Sequence, residues 1–488
     1  MALHLYNFTL QNPGAVTHAV GGNFNDSDSH QILVARGHIL ELLAFDGVRT
    51  LQSIVATEVF GVIRSLATFR LHGTTKDYAI VGSDSGKITI VEYSNERNAF
   101  VKVHEETFGR SGARRIVPGQ YLATDPAGRA AMIGALEKQK FVYILNRDNQ
   151  AKLTISSPLE AHKSHSVVFD LVGVDVGFAN PIFASIEMDY AEADQDSTGV
   201  AAANAKKSLV WYELDLGLNH VVRKNSDLID RTAHKLIAVP GGSDFPGGVI
   251  ICAKSAIYYR NLSGTQLRAT IPRRIHTLMT GENGEADDGV LIVAHTLYKH
   301  GASFWFIFQT EHGDLFHVAL QHQKEEVLAI TAQYMDTVPP ATELVLTGTF
   351  LHVFSEVGNQ YMYNVIDVPN ESENVTFEAK DPRADVANGN GKVNGATSME
   401  VDGSEESSGV KLYFKPRALK YLVMLEDEVP SLSPILDLKV TQAKGEDSPK
   451  ILALCGSGAR SSLSMLKHGI QVDQKAKTTL EHAVGVWT

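Results

Sequence analysis

The chain has 488 residues, 44% of them hydrophobic, with a formal net charge of −12 and two cysteines. That is enough apolar material for several cores, so more than one domain, or one large β domain plus part of another, is expected. The acidic balance argues against wholesale binding to nucleic acid phosphates, which rewards Lys and Arg.

Cys252 and Cys455 permit at most one bridge and read as reduced, buried thiols of an intracellular protein. The opening stretch, MALHLYNFTLQNPG, lacks the basic and apolar regions of a signal peptide. No run approaches the roughly 18 apolar residues of a membrane span. The sequons at Asn7 and Asn261 therefore read as chance matches.

The first unit reads as four strands in order: THAVGGNF, QILVAR, HILELLAF and RTLQSIVATEVF. The second repeats the order, with VIRSLATFR (62–70), the hairpin YAIVGSDSGKITIVEY (78–93) and AFVKVHEETF (99–108). Ser83, Asp84, Ser85 and Gly86 supply the hairpin turn, because Ser and Asp bond the local backbone and Gly accepts positive φ. Similar hairpins follow at 130–145, 248–259, 303–320 and 349–366, and one further pair is held apart by an acidic insertion at 191–207. Their central breaks, near 37, 85, 138, 199, 254, 312 and 358, recur every roughly 46–61 residues, the spacing of propeller blades. Strands one to three of a unit lean apolar and the fourth alternates with charge, as a water-facing edge strand should.

The expected fold is all-β: a seven-bladed β-propeller over 1–368, followed by the start of a second propeller. Either Leu5–Leu10 or 420–426 is expected to complete the seventh blade. Residues 369–410, rich in Asn, Gly, Ser and acids, read as a disordered acidic insertion, since they bury too little apolar surface to offset ordering. Residues 411–488 then hold a closing strand and the first blade of a truncated second propeller.

Candidate chemistry is sparse. Gly241, Gly242, Gly247 and Gly248 are not followed by the Gly-Lys-Ser/Thr of a phosphate loop and read as a flexible blade connection. Asp189, Glu192, Asp194 and Asp196 miss the order of a calcium loop and read as a solvated acidic turn. His162, His165, His220 and His234 show no metal-ligand spacing, and no Gly-x-Ser-x-Gly elbow exists. Lys102 with Arg110, Arg114 and Arg115, and Arg268 with Arg273 and Arg274, form two basic clusters that read as solvated or paired with the acidic surplus. No catalytic, cofactor or metal residue is assigned, and partner-binding residues remain unassigned.

The WD-repeat signature is absent, and Trp211, Trp305 and Trp487 show no repeat spacing. Longer stretches are informative: EVFGVIRSL (58–66), KDYAIVGSDSGKITIVEY (76–93), ETFGRSGARRIVPGQ (106–120), EKQKFVYILNRD (137–148), LTISSPLEAHK (153–163), YELDLGLNHVVRK (212–224) and VPGGSDFPGGVIIC (239–252). With SLSPI (431–435) and GARSSLSMLKHGI (458–470), they closely resemble the splicing factor 3b subunit 3 family from Leu5 almost to the end of the chain. Its superfamily relatives, the damaged-DNA-binding protein and the large cleavage and polyadenylation specificity factor subunit, are similar only in outline.

The resemblance implies a non-enzymatic scaffold without cofactor, acting in the nucleus in pre-mRNA splicing as part of the U2 small nuclear ribonucleoprotein. The implied partners are the HEAT-repeat subunit and the small helical subunit of splicing factor 3b, with RNA contacted indirectly. Family members have three propellers and a helical C-terminal region, whereas this chain stops at Thr488. The alternatives are a scaffold of another complex in the superfamily (a DNA-damage ubiquitin ligase adaptor, or mRNA 3′-end processing) and a propeller that binds RNA directly.

Overall fold

The computed structural model describes residues 13–25, 30–45, 51–107, 117–136, 139–150, 152–161, 165–177, 179–274, 289–369, 376–380, 410–425, 429–442 and 449–467. The hairpin at 78–93 forms from Asp77–Ser83 and Lys87–Ser94, paired antiparallel with Ala79 opposite Val91 and Gly82 opposite Ile88. Its turn closes through the Gly86 amide on the Ser83 carbonyl at 3.1 Å, with Gly86 at φ +79. Alternate side chains leave the hairpin in opposite directions. Ile80, Ile88 and Ile90 enter one core, while Ala79, Val81, Val91 and Tyr93 enter another. Burial on both faces explains why these strands read as nearly continuous apolar runs.

The other sheets repeat this plan. The first sheet runs His18–Gly22, Gln31–Arg36, Ile39–Phe45, Leu51–Glu58, and the second adds Ile63–Arg70 and Ala99–Thr107 to the hairpin. The third runs Leu122–Thr124, Ala130–Leu136, Gln139–Arg147, with its outer strand split into Leu153–Ile155 and Leu159–Glu160. The fourth is Ser166–Val174, Ile182–Asp189, Lys207–Asp215, His220–Ile229, and the fifth Lys235–Ala238, Val249–Ala253, Ala256–Arg260, Gln266–Thr270. The sixth is Ile292–His300, Ser303–Thr310, Asp314–Gln323, Glu326–Thr337. The seventh is Glu343–Thr347, Phe350–Phe354, Tyr361–Val365 and, from far downstream, Leu422–Met424.

Each core lies between two consecutive sheets. Phe69, Ile80 and Tyr143 join the second and third, and Phe183, Tyr212 and Val142 the third and fourth. Tyr259, Phe306 and Phe316 fill the space between the fifth and sixth. The last core sets Val345 and Phe354 of the seventh sheet against Val16, Ile32 and Val34 beside and within the first. The succession of cores therefore returns to its start. A β-propeller buries sheet faces in this radial way, leaving only short edges in water.

Of the two candidate closing strands, Leu422–Met424 pairs with Tyr361–Val365, placing Leu422 opposite Val365 and Met424 opposite Tyr363. Leu5–Leu10 lies outside the described residues. The segment read as an unstructured insertion at 369–410 needs correction at both ends. Phe377–Lys380 pairs antiparallel with Val410–Phe414, and Arg273–Arg274 adds to the latter in parallel. The polar composition between them hides the short β-forming runs TFEAK and VKLYF. Residues 381–409 lie outside the described residues. Beyond the seventh sheet, Ile435–Thr441, Lys450–Cys455 and Ser462–Lys467 form a three-stranded antiparallel sheet. Arg460 ties this sheet back by donating to the carbonyls of Val357 at 3.1 Å and Pro340 at 3.0 Å.

Candidate protein-interaction surface

The residues singled out for chemistry are placed in structural roles. Gly241 and Pro246 form an isolated bridge in the connection between Lys235–Ala238 and Val249–Ala253. The Gly241 amide donates to Asp175 at 3.1 Å, and a Cβ there would lie 2.0 Å from the Asp175 carbonyl oxygen. Close backbone approach therefore requires this glycine, and no phosphate is needed to account for it.

The acidic turn is consumed by its own backbone. Asp189 accepts the Ala191 amide at 2.7 Å. Asp196 accepts the amides of Ala201 at 2.7 Å and Thr198 at 2.8 Å, and the Thr198 hydroxyl at 2.6 Å. These bonds, the Ala201 amide first, pull the Asp196 carboxyl down to about 2. The aspartate thereby holds the start of the one-turn helix Val200–Asn204. Among the described residues no group of three His, Cys, Asp or Glu is placed to hold a metal ion.

The histidines scatter. His234 Nε2 sits 2.9 Å from the Ile292 carbonyl, His165 packs edge-on against Tyr190, and His220 starts an outer strand. His162 lies outside the described residues. Three histidines not picked out by spacing are embedded in the sixth and seventh sheets. Burial pushes His295 down to about 3 and both His317 and His352 down to about 4. In the unfolded chain such groups titrate near about 6.5. Their folded pKa values are depressed, so the unfolded state takes up protons first. Stability is full above about pH 6.5 and falls as pH drops from there towards 4, by on the order of 1–3 kcal/mol per histidine. Urea midpoints measured between pH 7.5 and 5 should decline accordingly, and His317→Phe should flatten the slope. A midpoint independent of pH across that range would contradict this.

The second basic cluster is structural. Arg274 donates through Nε and Nη2 to both oxygens of Asp314 at 2.7 Å, and through Nη2 to the His312 carbonyl at 3.0 Å. Arg273 donates to Ser255 Oγ at 3.0 Å, and Arg268 lies 5.8 Å from the Tyr258 ring centroid. In the first cluster Lys102 shares Glu105 with Lys87, at 3.0 and 2.8 Å. The two ammonium groups, Lys87 first, hold the Glu105 carboxyl below its usual range. Arg110, Arg114 and Arg115 lie outside the described residues. Both cysteines are free and buried, and burial pushes the Cys252 thiol up to about 12.

Two polar devices escaped sequence reasoning. Lys140 and Glu187 meet at 3.1 Å between the third and fourth sheets, 2% and 4% exposed. Ser166, Ser185 and Tyr212 each donate a hydroxyl to the same carboxylate. Burial opposes its charge, but Lys140 and the hydroxyls of Ser185 and Tyr212 outweigh it, so the carboxyl stays below its usual range. The second is Asp336, fully buried at the end of the sixth sheet's outer strand. It accepts the amides of Lys420, Tyr421 and Leu422 at 3.0, 2.8 and 2.9 Å. Arg417 lies 5.1 Å from the Tyr421 ring, and Phe414 stacks on Tyr334 at 4.3 Å. No periodicity signals contacts between residues this far apart in the chain.

What remains for recognition is surface. The three-stranded sheet exposes Leu436, Leu438 and Val440 on one strand and Leu463 and Met465 on another. In the loop between the first and second sheets Phe60 is 72% exposed.

Residues 15–383 match the family described as RSE1/DDB1/CPSF1 first beta-propeller. Among curated proteins, spliceosome-associated protein 130 A of Arabidopsis thaliana is 48% identical over 488 residues, covering 100% of this chain and 38% of its own length. Splicing factor 3B subunit 3 of Danio rerio is 47% identical over 490 residues, with the same coverage. Pre-mRNA-splicing factor RSE1 of Mycosarcoma maydis is 46% identical over 496 residues, covering 100% of this chain and 39% of its own. The chain thus spans about two fifths of the length of these relatives.

Proposed function

The chain belongs to the RSE1/DDB1/CPSF1 first beta-propeller family, and from that premise we propose that it is a scaffold subunit of the splicing factor 3b assembly of the U2 small nuclear ribonucleoprotein. It works in the nucleus, by protein–protein contacts and not by catalysis. The observation that carries this reading is the likeness over 100% of the chain to proteins named splicing factor 3B subunit 3 and pre-mRNA-splicing factor RSE1. Physical support comes from the closed succession of sheets and cores. A rigid disc of seven blades loses little entropy on docking, so a patch of roughly 800 Å² per partner suffices for a stable complex. Its partners are the HEAT-repeat subunit and the small helical subunit of splicing factor 3b.

Residues 435–467 are taken as the opening blade of a second propeller. Their apolar side chains in water support this, because a blade buries such residues against neighbours on either side. The direct RNA-binding alternative is weakened by Arg273, Arg274 and Lys102, whose charged groups are already engaged within the protein.

The test is affinity capture of the tagged chain from nuclear extract at moderate salt, with bound proteins and RNA identified. Splicing factor 3b proteins should be recovered. Recovery of RNA alone, with no splicing protein, would replace the scaffold reading by direct nucleic-acid binding.

A further inference from the structure

Phe60 stands out against the rest of the surface. Among the residues whose burial is described, it is the one exposed phenylalanine, tyrosine or tryptophan. Its loop joins the first sheet to the second and is pinned at each step. The Val59 amide donates to the His38 carbonyl at 2.7 Å, and the Ile63 amide to the Gly37 carbonyl at 2.8 Å. The Val62 amide donates to Asp84 Oδ1 at 2.8 Å, while the Asp84 amide returns to the Val62 carbonyl at 3.0 Å. Ser85 Oγ donates to the carbonyl of Phe60 itself at 3.2 Å. Gly61 makes the turn at φ +93, where a Cβ would sit 2.9 Å from Asp84 Oδ1. An exposed ring on a mobile loop would be unremarkable, but here the backbone is already ordered. The entropy of fixing the loop has been spent in folding and does not recur on docking.

The charge around the ring also narrows the partner. Lys87 Nζ lies 4.9 Å from the ring centroid and pairs with Glu105, which also takes Lys102. Arg64 faces Asp84 at 3.7 Å, and His38 faces Glu58 at 4.0 Å. The three Lys and Arg side chains are thus matched in number by three carboxylates, with Lys87 and Lys102 sharing Glu105, Arg64 facing Asp84, and Glu58 beside His38. A phosphate backbone or an anionic lipid surface would reward a basic surplus, and these described residues offer none. An aromatic anchor ringed by balanced charges is the anatomy of a protein–protein hot spot.

We infer that Phe60 is an anchor of this chain's scaffold contact, its ring inserting into an apolar cleft on a folded protein partner while the surrounding ion pairs form the polar rim. The inference rests on the scaffold reading and adds the point of contact to it. The partner chemistry is an apolar cleft of ring size, lipped by groups that can exchange with the Lys87–Glu105 and Arg64–Asp84 pairs.

The experiment measures binding of the purified full chain to the purified HEAT-repeat subunit by calorimetry, for wild type, Phe60→Ala, Phe60→Trp and Leu218→Ala. Leu218 is 78% exposed on a turn of the fourth sheet and serves as the apolar surface control. Phe60→Ala should bind at least about tenfold more weakly, with an unchanged melting temperature, because the ring contributes little to any core. Phe60→Trp should retain most of the affinity, and Leu218→Ala all of it. Hydroxyl-radical oxidation of the Phe60 ring should fall on complex formation. Wild-type affinity in Phe60→Ala, or undiminished oxidation of the ring in the complex, overturns the anchor and leaves the scaffold reading intact. Failure of the wild-type chain to bind overturns the partner assignment and the anchor together.

Discussion

Asp336→Ala is expected to lower the melting temperature by about 4–7 °C, taking roughly 1.3 °C per kcal/mol from an unfolding entropy of about 2.1 cal/mol/K per residue over a domain of about 370 residues. The carboxylate is fully buried and accepts three consecutive amides, those of Lys420, Tyr421 and Leu422. Removing it leaves buried donors without an acceptor, each worth about 1–3 kcal/mol, so the loss should total roughly 3–5 kcal/mol. Asp336→Asn keeps one carbonyl oxygen but presents an NH2 group to the remaining amides, and should recover only part of the loss. The effect has a location. Hydrogen exchange should accelerate first at Leu422–Met424 and at its ladder partner Tyr361–Val365. A melting temperature within about 1 °C of wild type would show that the closing strand is held by its side chains alone.

The second large effect is expected at Lys140. Lys140→Met keeps the length of the side chain and removes its charge, stranding Glu187 between the third and fourth sheets. Breaking a buried ion pair in this way costs about 3–5 kcal/mol. The double variant Lys140→Met/Glu187→Leu should be much closer to wild type, because no uncompensated charge remains. The pH dependence gives an independent sign. In wild type the Glu187 carboxyl lies below its usual range, so its stabilisation is present above the unfolded pKa and is lost as pH falls through the folded one. Without Lys140, burial dominates and raises that pKa, so the carboxyl takes up a proton more readily. The deficit of Lys140→Met should therefore shrink as pH falls from 7 towards 5, read as converging urea midpoints. A deficit that stays constant would mean the loss is one of packing and not of charge.

Local pattern carried much of the fold. The hairpin at 78–93 is legible because a Ser-Asp-Ser-Gly turn separates β-forming runs, and the outer strand Ala99–Thr107 because charge alternates along it. The pattern leaves two candidates for the closing strand, because the contact that decides between them, Asp336 with the amides of residues 420–422, joins parts of the chain far apart in sequence. Arg273 and Arg274 show the limit most clearly. As sequence they are a basic doublet after a proline, but the fold sets Arg274 against Asp314 and gives the strand a partner in Val410–Phe414. A charge is legible in one dimension, whereas its counter-charge lies wherever the sheets bring it. Phe60 lies within the family-like stretch 58–66, yet only exposure separates it from the many phenylalanines that fill cores.

The order in which the seventh sheet is assembled has a consequence for the protein's birth on the ribosome. Tyr361–Val365 emerges well before Leu422–Met424, its partner across the sheet. At roughly 5–20 residues per second, synthesis of the intervening chain occupies on the order of 3–11 s, long compared with hairpin formation. Throughout that interval the sixth-to-seventh core lacks Tyr421 and Leu422, and Tyr361–Val365 offers an unpaired edge to any neighbouring nascent chain. Successive ribosomes on one message place such edges side by side. Chaperone demand should therefore peak at ribosome positions between the codons for Val365 and Leu422 and fall once Leu422 can reach Asp336.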